Sequence, residues 1–597
     1  MISSFIVTLW ASHVAQVPLK NVLYFLVDDL RPEMNVAYGQ EYMHTPAFDS
    51  LAARGLTFSR AYCQIAVCAP SRSSFMSGIR PDASSIFNFK NHIRDAGQPA
   101  IVTLPGQFLK ANYTVLGGGK TFHFDHPPYF DDIGSKKGSW SSSVAKYYPF
   151  NEFDGSTDYA SCPIPEGFVM NPAKLPIQMC ALDVPMDFFY DYRLATHTIE
   201  TLRLVANITT TVDGKKRPKP WFVMAGFRRP HRVFQVHKKY YDLYPTDVAT
   251  IATAKIQVRD PSQPEIAFHH GDFVLENGSY YPGNADKPWP IEVQQYARKG
   301  YYAAVSQTDA QVGRVLSELK TLGLTDKTVV VVHSDHGWQL GERGEWDKQT
   351  NFEAATRVPL IIAVPWKTAS HGQHTSSFTD LVDMHPTIAS LAGIGFTPPM
   401  SLGKGLSTVT QAFGSDVSSL LDEVHMRAAG EEEAPKNTLQ LATASYSQWP
   451  SCGIPGQQGM CISSRGVLTA MGYSIRVQNW RYTAWVGFNN GSCANASARM
   501  FTADWTAGAL LALELYNKTA QDSDPTNSFN FDDDGEGKNY AVIAGRQDGE
   551  PLPVQAELHK KLVAQFSYDA GWLAARQQAM IKRETKFELN MGFAPFD

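Results

Sequence analysis

Short apolar runs alternate with helical patterns along the first part of the chain. Residues 21–27 form a nearly continuous apolar segment, which is typical of a strand buried on both faces of a parallel sheet. Segments 291–322 and 384–393 have helical spacing. Strands that alternate with helices indicate a βαβ architecture, in which helices flank a mostly parallel central sheet. Further strands are predicted at Tyr113–Leu116, Trp221–Ala225, Thr328–His333 and Val358–Val364.

Two segments carry the signals of a helix start. Thr45 followed by Pro46 predicts a helix that stops at Gly55. In Cys68–Gly78, Pro70 suits a first helical turn, because its missing N–H would have no intrahelical partner there. Cys68 would then lie at the positive end of a helix dipole, which favours an anion. A buried structural cysteine would also fit this position.

The pattern changes in the last quarter of the chain. Residues 403–437 are rich in Gly, Ser and acidic side chains and predict a surface connection. Beyond them the sequence predicts antiparallel strands, an acidic loop and a helix, at Val467–Val477, Arg481–Phe488, Leu513–Tyr516, Phe529–Lys538 and Gln555–Lys582. We therefore predict a main domain over residues 18–440 and a smaller α+β domain with an antiparallel sheet over residues 441–597.

Composition narrows the possible partners. The 597 residues are 43% apolar and 19% charged, as in a globular protein of more than one domain. The net charge of −5 provides no overall attraction to nucleic acid or to an acidic membrane. Residues 1–17 contain a short apolar run that we interpret as a signal peptide. No other segment is long and apolar enough to predict a membrane span.

Cysteine use fits an exported protein. If Cys68 is reserved for chemistry, six of the seven cysteines remain for disulfides. Sequence proximity suggests two local bridges, Cys162 with Cys180 and Cys452 with Cys461. Cys63 and Cys493 are then either paired at long range or free. Six Asn-X-Ser/Thr sites give weak further support for a secretory route, at Asn112, Asn207, Asn277, Asn490, Asn495 and Asn517.

Polar and charged pairs follow several predicted strands. They are Asp28 with Asp29, Lys120 with His123, Arg229 with His231, and Asp335 with His336. Ligands in open α/β sheets bind outside the carboxyl ends of the strands, so these pairs predict one common site. Adjacent buried carboxylates need a cation, and oxygen ligands favour Ca²⁺ or Mg²⁺. Each pair taken singly could instead be a solvated turn.

The string Cys68-Ala69-Pro70-Ser71-Arg72, with the apolar stretch and Gly78 behind it, resembles the signature of the formylglycine-dependent sulfatase family. Within that family the resemblance is closest to the iduronate-2-sulfatase group. It extends in the family's order over much of the chain, through Asn21–Pro32, Gly119–His123, Tyr301–Leu322, Asp335–Lys348, Met471–Arg476 and Arg481–Thr483.

The resemblance implies an alkaline-phosphatase-like α/β fold and one divalent ion, usually Ca²⁺. The implied ligands are Asp28, Asp29, Asp335 and the modified Cys68. His336 is a further candidate ligand. It stands where many sulfatases have Asn and the iduronate-type enzymes have His, and it would otherwise contact the bound sulfate or lie behind the ligands.

The resemblance also implies the chemistry. A formylglycine-generating enzyme would convert Cys68 to formylglycine, whose hydrated aldehyde is the nucleophile. Arg72, Lys120 and Lys348 would offset the charge of the sulfate. His231, with Lys348, would protonate the leaving oxygen, and His123 would take a proton from the remaining hydroxyl of the hydrate.

The implied substrate is a sulfated sugar or glycosaminoglycan-like polysaccharide, in a lysosomal or extracellular enzyme. Iduronate 2-sulfate and an algal-type sulfated glycan are both open, because segment 127–192 matches the family poorly and would line the substrate pocket. Arg229 stands where the relatives commonly have Lys. Two other activities also remain open: a phosphomonoesterase or phosphonate hydrolase, and a catalytically silent protein that binds sulfated glycans.

Overall fold

The structure is a computed structural model of the chain. The residues that it describes are 20–84, 86–89, 93, 101–123, 139–141, 162, 179–212, 214–269, 271, 273–275, 279–395, 414–422, 442–451, 467–492, 503–506, 509–522, 535–542 and 551–567. The predicted signal peptide and the segment 403–413 lie outside these ranges, as does most of the predicted acidic loop.

An eight-stranded sheet forms the centre of the main domain. The strand Asn21–Val27 lies in its middle and pairs in parallel with Thr328–Ser334 on one side and Trp221–Phe227 on the other. Trp221–Phe227 in turn pairs in parallel with Thr114–Gly119. The predicted parallel arrangement is therefore confirmed for these four strands, and their carboxyl ends lie at one edge of the sheet.

The other half of the sheet departs from the prediction. The run at residues 358–364 forms two short strands, Arg357–Val358 and Leu360–Ala363, and both are antiparallel to their neighbours. They pair with Leu56–Tyr62, a strand that the apolar pattern did not reveal because it includes Thr57, Ser59 and Arg60. Gln373–Asp380 completes the sheet in parallel with Leu56–Tyr62.

Helices cover both faces of the sheet. Leu23, Phe25 and Val27 pack into one core, which includes residues of the long helix Ile291–Thr321. The alternate residues of the same strand belong to a second core, which includes Phe75 of the helix Cys68–Ser77. Burial on both faces explains why the strand sequence is apolar without alternation.

The described helices are Asn35–Tyr38, Pro46–Ala52, Cys68–Ser77, Pro81–Ser84, Leu104–Lys110, Tyr190–Ala206, Lys238–Tyr241, Ile291–Thr321, Glu353–Thr356, Met384–Leu391, Thr519–Asp522 and Pro553–Phe566. Short two-stranded sheets pair Met179–Leu182 with Phe234–His237, Thr209–Val212 with Lys215–Pro218, Phe273–Val274 with Tyr280–Tyr281, and Gln339–Leu340 with Trp346–Asp347.

A separate four-stranded antiparallel sheet confirms the predicted architecture of the C-terminal region. Its strands follow in chain order: Ala444–Ser451, Val467–Val477, Trp480–Ser492 and Leu510–Asn517. The first of them was missing from the sequence prediction. The helix Pro553–Phe566 packs on this sheet and ends well before the predicted residue 582. The residues after 567 lie outside the described chain, and the domain boundary near residue 440 stays a prediction.

Cys162 and Cys180 form the predicted disulfide. Cys63 is a buried free thiol, whereas Cys452, Cys461 and Cys493 lie outside the described residues. Among the described residues, no helix combines the length and the apolar character needed to cross a bilayer.

Candidate active site

The helix that begins at Cys68 brings its thiol to the carboxyl edge of the sheet. Val67 has extended backbone geometry, and the helix runs from Cys68 to Ser77 before Gly78 ends it with a φ of 68°. A side chain on Gly78 would also press against His385, so both the conformation and the space favour glycine. The predicted helix start is confirmed, and Pro70 lies in its first turn.

Two parallel strands deliver the acidic pairs to this helix. Val27 is paired with Ser334, so the Asp28-Asp29 and Asp335-His336 turns leave the sheet side by side. The backbone N–H of Asp29 donates to Asp335 Oδ1 at 3.2 Å. His336 Nε2 lies 3.3 Å from the Sγ of Cys68, and Asp29 Oδ1 lies 3.9 Å from it. The common site predicted from strand ends is therefore present at these positions.

Three cations hold the carboxylates in place. Arg72 donates to Asp28 Oδ1 at 2.7 Å and to Asp335 Oδ2 at 2.9 Å, so the signature arginine bridges the two acidic turns. Lys120 Nζ lies 2.6 Å from Asp28 Oδ2 and 3.8 Å from Cys68 Sγ. The third cation, Lys348, also contacts the thiol: its Nζ lies 2.6 Å from Asp29 Oδ1 and 3.4 Å from the Sγ.

The two adjacent carboxyl groups differ in their pKa values. Burial acts to raise the pKa of Asp28, but Lys120 and Arg72 outweigh it and hold that pKa well below its usual range. Burial raises the pKa of Asp29 well above its usual range, and repulsion from Asp28 and Asp335 adds to the shift. Lys348 opposes this rise. Of these two carboxyl groups, Asp29 is therefore the one whose ionised form requires a further cation to stabilise it.

The Cys68 thiol is held in its neutral form. Burial raises its pKa well above the usual range, and the charge of Asp28 raises it further. The nearby lysines lower it, but by less. Because the thiolate is the nucleophilic form of cysteine, the unmodified side chain is a poor nucleophile here.

Two histidines that the sequence singled out follow other strands. His231 Nε2 lies 4.0 Å from Asp29 Oδ2, and its Nδ1 donates to the carbonyl oxygen of Arg232. Burial and the two site lysines lower the pKa of His231 well below its usual value. His123 lies three residues beyond Lys120, buried, with its ring centroid 4.9 Å from that of Phe89.

Arg229 is positioned differently from the expectation that it joins His231 at the site. Its Nε donates to the carbonyl oxygen of Gln235, and its backbone N–H donates to Asp191. The neighbouring Arg228 is the arginine whose charge acts on His231.

The donor set fits a metal ion. Ligand atoms of Asp28, Cys68, Asp335 and His336 lie within 4.8 Å of one another, and so do those of Asp28, Asp29, Cys68 and His231. Asp29 Oδ2 is buried and has no hydrogen-bond partner among the described residues. Carboxylate oxygens suit Ca²⁺. The Nδ1 of His336 faces the Gly337 carbonyl at 2.9 Å, so its Nε2 is the atom directed at the cluster.

Sequence reasoning missed three residues that support this cluster. Tyr301, on the long helix, holds the backbone of the Asp28-Asp29 turn. Ser334 Oγ accepts the N–H of Leu30 at 2.8 Å and lies 2.7 Å from the His336 carbonyl, so it joins the two acidic turns. Trp338 lies under Lys348, with Nζ 5.1 Å from the ring centroid. In sequence, these side chains look like ordinary core and strand positions, and only the Gly-flanked Trp338 gives a signal.

Comparison with known proteins agrees with this geometry. The family described as Sulfatase matches residues 20–394, which is more than half of the chain. The chain belongs to the sulfatase family, and it is a sulfuric ester hydrolase.

The chain is similar to iduronate 2-sulfatase of Homo sapiens, with 32% identity over 550 residues that cover 87% of this chain and 92% of that protein. It is also similar to choline-sulfatase of Rhizobium meliloti, with 26% identity and coverage of 66% and 72%.

Solved structures share the fold at low identity. The phosphonate monoester hydrolase of Agrobacterium radiobacter aligns with a TM-score of 0.61 and 18% identity over 92% of this chain and 95% of that one. A structure titled as a 2-O GAG sulfatase aligns with a TM-score of 0.52 and 18% identity over 97% and 95% of the two chains. The alkaline-phosphatase-like architecture is thereby confirmed.

Proposed function

We propose that this protein hydrolyses sulfate esters of a sulfated sugar, through a formylglycine formed from Cys68 beside a bound Ca²⁺. The observation that carries the proposal is the surroundings of the Cys68 Sγ. Lys348 Nζ and His336 Nε2 lie within 3.4 Å of it, at the start of a helix, yet burial keeps the thiol neutral. The helix start and Lys348 favour an anion beside residue 68, whereas the neutral thiol is a poor nucleophile.

Conversion of Cys68 to formylglycine removes this difficulty. The hydrated aldehyde offers one hydroxyl to attack sulfur and keeps a second, through which the enzyme can later release sulfate. A formylglycine-generating enzyme is therefore a required partner.

Charge is the main obstacle to attack on a sulfate ester, because the nucleophile approaches an anionic group. Lys120 and Lys348 both lie within 3.8 Å of the residue-68 sulfur, and Arg72 holds Asp28 and Asp335. Preorganised cations of this kind are often the largest catalytic contribution. In our proposal the two lysines receive the sulfate oxygens, and Arg72 keeps the carboxylates in register.

We assign the proton transfers to His231 and His123. The Nδ1 of His231 is occupied by the Arg232 carbonyl, so its Nε2, near Asp29, is the atom that carries the exchanged proton. A bound sulfate anion would raise the pKa of His231 from its lowered value and so load it with the proton for the leaving oxygen. His123, three residues beyond Lys120, would accept the proton from the second hydroxyl.

Asp28, Asp29, Asp335 and His336, with the side chain at position 68, would hold the Ca²⁺. The bound ion would supply positive charge at the reacting sulfate. The buried Oδ2 of Asp29, which has no hydrogen-bond partner among the described residues, supports its presence, since a metal would satisfy that oxygen and favour the ionised carboxyl group.

The substrate class follows from the relatives. Similarity to an iduronate 2-sulfatase and to a 2-O GAG sulfatase supports a sulfated sugar or a glycosaminoglycan-like polysaccharide. The Cys162–Cys180 disulfide supports a secretory route to a lysosomal or extracellular location.

Peptide mass spectrometry and kinetics test the proposal together. Protein from a host that installs formylglycine should carry an aldehyde at residue 68 and turn over 4-nitrophenyl sulfate faster than 4-nitrophenyl phosphate. Cys68→Ala should fold and lose turnover, whereas Cys63→Ala, at the other buried free thiol, should retain both turnover and modification. Full activity with an unmodified thiol would contradict the mechanism. Faster phosphate turnover would favour the phosphatase alternative, and glycan binding without turnover would favour the silent binder.

A further inference from the structure

Arg232 lies where two catalytic segments meet. It directly follows His231, whose Nε2 lies 4.0 Å from Asp29 Oδ2. Its guanidinium NH2 lies 3.1 Å from Asp347 Oδ2, and Asp347 directly precedes Lys348. The pair Arg232–Asp347 therefore connects the segment that carries His231 to the segment that carries Lys348.

Exposure separates Arg232 from the other cations of the site. The side chains of Arg72 and Lys120 are each 1% exposed, and that of Lys348 is 6% exposed, whereas that of Arg232 is 29% exposed. Its partner Asp347 is only 3% exposed. The carboxylate thus lies beneath a guanidinium that reaches towards solvent, which is the arrangement expected where a ligand enters.

The backbone at Asp347 indicates that this geometry is specifically held. Asp347 has a φ of 79°, in the left-handed region that non-glycine residues seldom adopt. Gly271 packs against it so closely that an added Cβ would lie 2.9 Å from the Cβ of Asp347. Strained backbone of this kind persists only where the surrounding structure holds it in place, and it is concentrated at active sites and ligand-binding sites.

We propose that Arg232 is a specificity-determining residue that binds a second anionic group of the substrate, separate from the sulfate ester that is cleaved. The inference rests on the proposed function. A guanidinium is planar and matches a carboxylate or a sulfate with two parallel N–H bonds. The second group is therefore a uronate carboxylate or another sulfate on the same saccharide, and Asp347 holds the guanidinium in position to receive it.

The test compares substrate pairs that differ only in the second anion. One pair is a 2-O-sulfated uronic-acid disaccharide and its carboxyl-reduced form, and the other is a disulfated neutral disaccharide and its monosulfated form. Wild-type protein should have the higher kcat/KM for the member that carries the second anion, in at least one pair. That pair then identifies the group bound by Arg232 as a carboxylate or a sulfate. Arg232→Gln should reduce the ratio of the two kcat/KM values within that pair by about 10- to 100-fold, mainly through KM. The reason is that a hydrogen bond to a charged group contributes on the order of 1.5–3 kcal/mol.

Because the measured quantity is the ratio of kcat/KM for the two members of a pair, a loss of activity that affects both members equally does not change it. Arg232→Lys should restore part of the preference. The variant Arg232→Gln with Asp347→Asn removes both charges, and it should still lack the preference. If the double variant regains the wild-type ratio, or if Arg232→Gln lowers both members of each pair equally, Arg232 only neutralises Asp347 and the inference is wrong.

The wild-type protein separates this failure from failure of the proposed function. Turnover of 4-nitrophenyl sulfate without any preference for a second anion would overturn the role of Arg232 and leave the sulfatase mechanism standing. Absence of aryl sulfate turnover by protein with a modified residue 68 would overturn both.

Discussion

The hydroxyl of Tyr301 donates a hydrogen bond to the carbonyl oxygen of Asp29 at 2.8 Å and accepts one from the N–H of Arg31 at 3.0 Å. Asp29 has a φ of 59°, which a non-glycine residue adopts only at some cost. Tyr301 also stacks on Trp338, the ring beneath Lys348. One side chain of the long helix therefore supports both partners of the Asp29–Lys348 ion pair.

Tyr301→Phe should weaken the metal site more than the fold. The change keeps the ring and leaves the buried carbonyl of Asp29 and the N–H of Arg31 without their partner, which should cost about 1–3 kcal/mol of unfolding free energy. Because the Asp29 turn loses its support, the Ca²⁺ concentration needed for half-maximal activity should rise. Urea denaturation and calcium titration followed by calorimetry measure the two effects.

Tyr113→Phe is the matched control. The Tyr113 hydroxyl contacts the backbone carbonyls of Lys20 and Ala392 at 3.0 and 3.2 Å, at the opposite edge of the sheet. It should lower stability by a similar amount without changing calcium affinity. Equal calcium affinity in the two variants would contradict a positioning role for Tyr301.

Lys348→Met should lose turnover while the fold remains. Removal of a preorganised charge beside the reacting group should lower kcat by about 10²–10³-fold. Without Lys348 the pKa of Asp29, already raised by burial, should rise further, so Asp29 can take a proton and no buried charge is left unpaired. Kinetics at saturating Ca²⁺, combined with thermal melting, test this expectation.

A lysine whose contacts are with other segments provides the comparison. Lys299 Nζ donates to the Pro245 carbonyl at 2.8 Å and lies over the ring of Tyr241. Lys299→Met should leave turnover intact. Collapse of the Lys348→Met fold, with no soluble protein, would instead assign Lys348 a structural role.

Glu353→Gln should destabilise the contact between the main domain and the C-terminal sheet. Glu353 accepts from Arg476 at 3.1 Å and Lys518 at 2.8 Å, and it also accepts from the Tyr62 hydroxyl. Loss of one partner in a buried ionic cluster costs on the order of 3–5 kcal/mol. Urea denaturation at neutral pH should show this loss.

The pH dependence has a defined sign. Burial acts to raise the pKa of Glu353, but Arg476 and Lys518 outweigh it and hold that pKa well below its usual range. The group therefore stabilises the fold above the unfolded pKa of about 4.3, and this contribution is lost as pH falls through the folded pKa. The difference between wild type and Glu353→Gln should shrink on acidification.

An exposed ion pair gives the control for this variant. Glu318 pairs with Arg203 at 2.8 Å, and the Arg203 side chain is 60% exposed. Glu318→Gln should change the unfolding free energy far less than Glu353→Gln does, because water screens an exposed ion pair. If both variants lose the same amount of unfolding free energy, burial does not make the Glu353 cluster more stabilising than an exposed ion pair.

Removal of calcium should abolish turnover and lower thermal stability. Asp28, Asp29 and Asp335 converge within a buried volume, where Arg72, Lys120 and Lys348 pair with them. Burial nevertheless raises the pKa of Asp29, and its Oδ2 has no hydrogen-bond partner among the described residues, so a bound ion would stabilise the ionised carboxyl group. A chelator should lower the melting temperature, and added Ca²⁺ should restore both melting temperature and activity more fully than Mg²⁺, since Mg²⁺ retains its water more strongly. Unchanged activity in protein shown to be metal-free would exclude the site.

Local sequence patterns were enough to predict the parallel half of the sheet, the helix start at Cys68 and the acidic strand ends. Each of these depends on local information: continuous apolar runs mark strands buried on both faces, and Pro70 with Gly78 marks the limits of a helix. Because parallel strands end at one edge of a sheet, the meeting of Asp28 with Asp335 could also be foreseen.

The features that sequence patterns did not predict depend on tertiary contacts. Leu56–Tyr62 was missed because its polar side chains are buried by partners that are distant in sequence, including Gln373–Asp380. The side chain of Arg229 donates to the carbonyl oxygen of Gln235, whereas the side chain of Arg232 forms an ion pair with Asp347. Which of several charged neighbours faces the site depends on backbone direction and packing after the chain has folded. No pattern within a single segment contains that information, because the partner lies on another one.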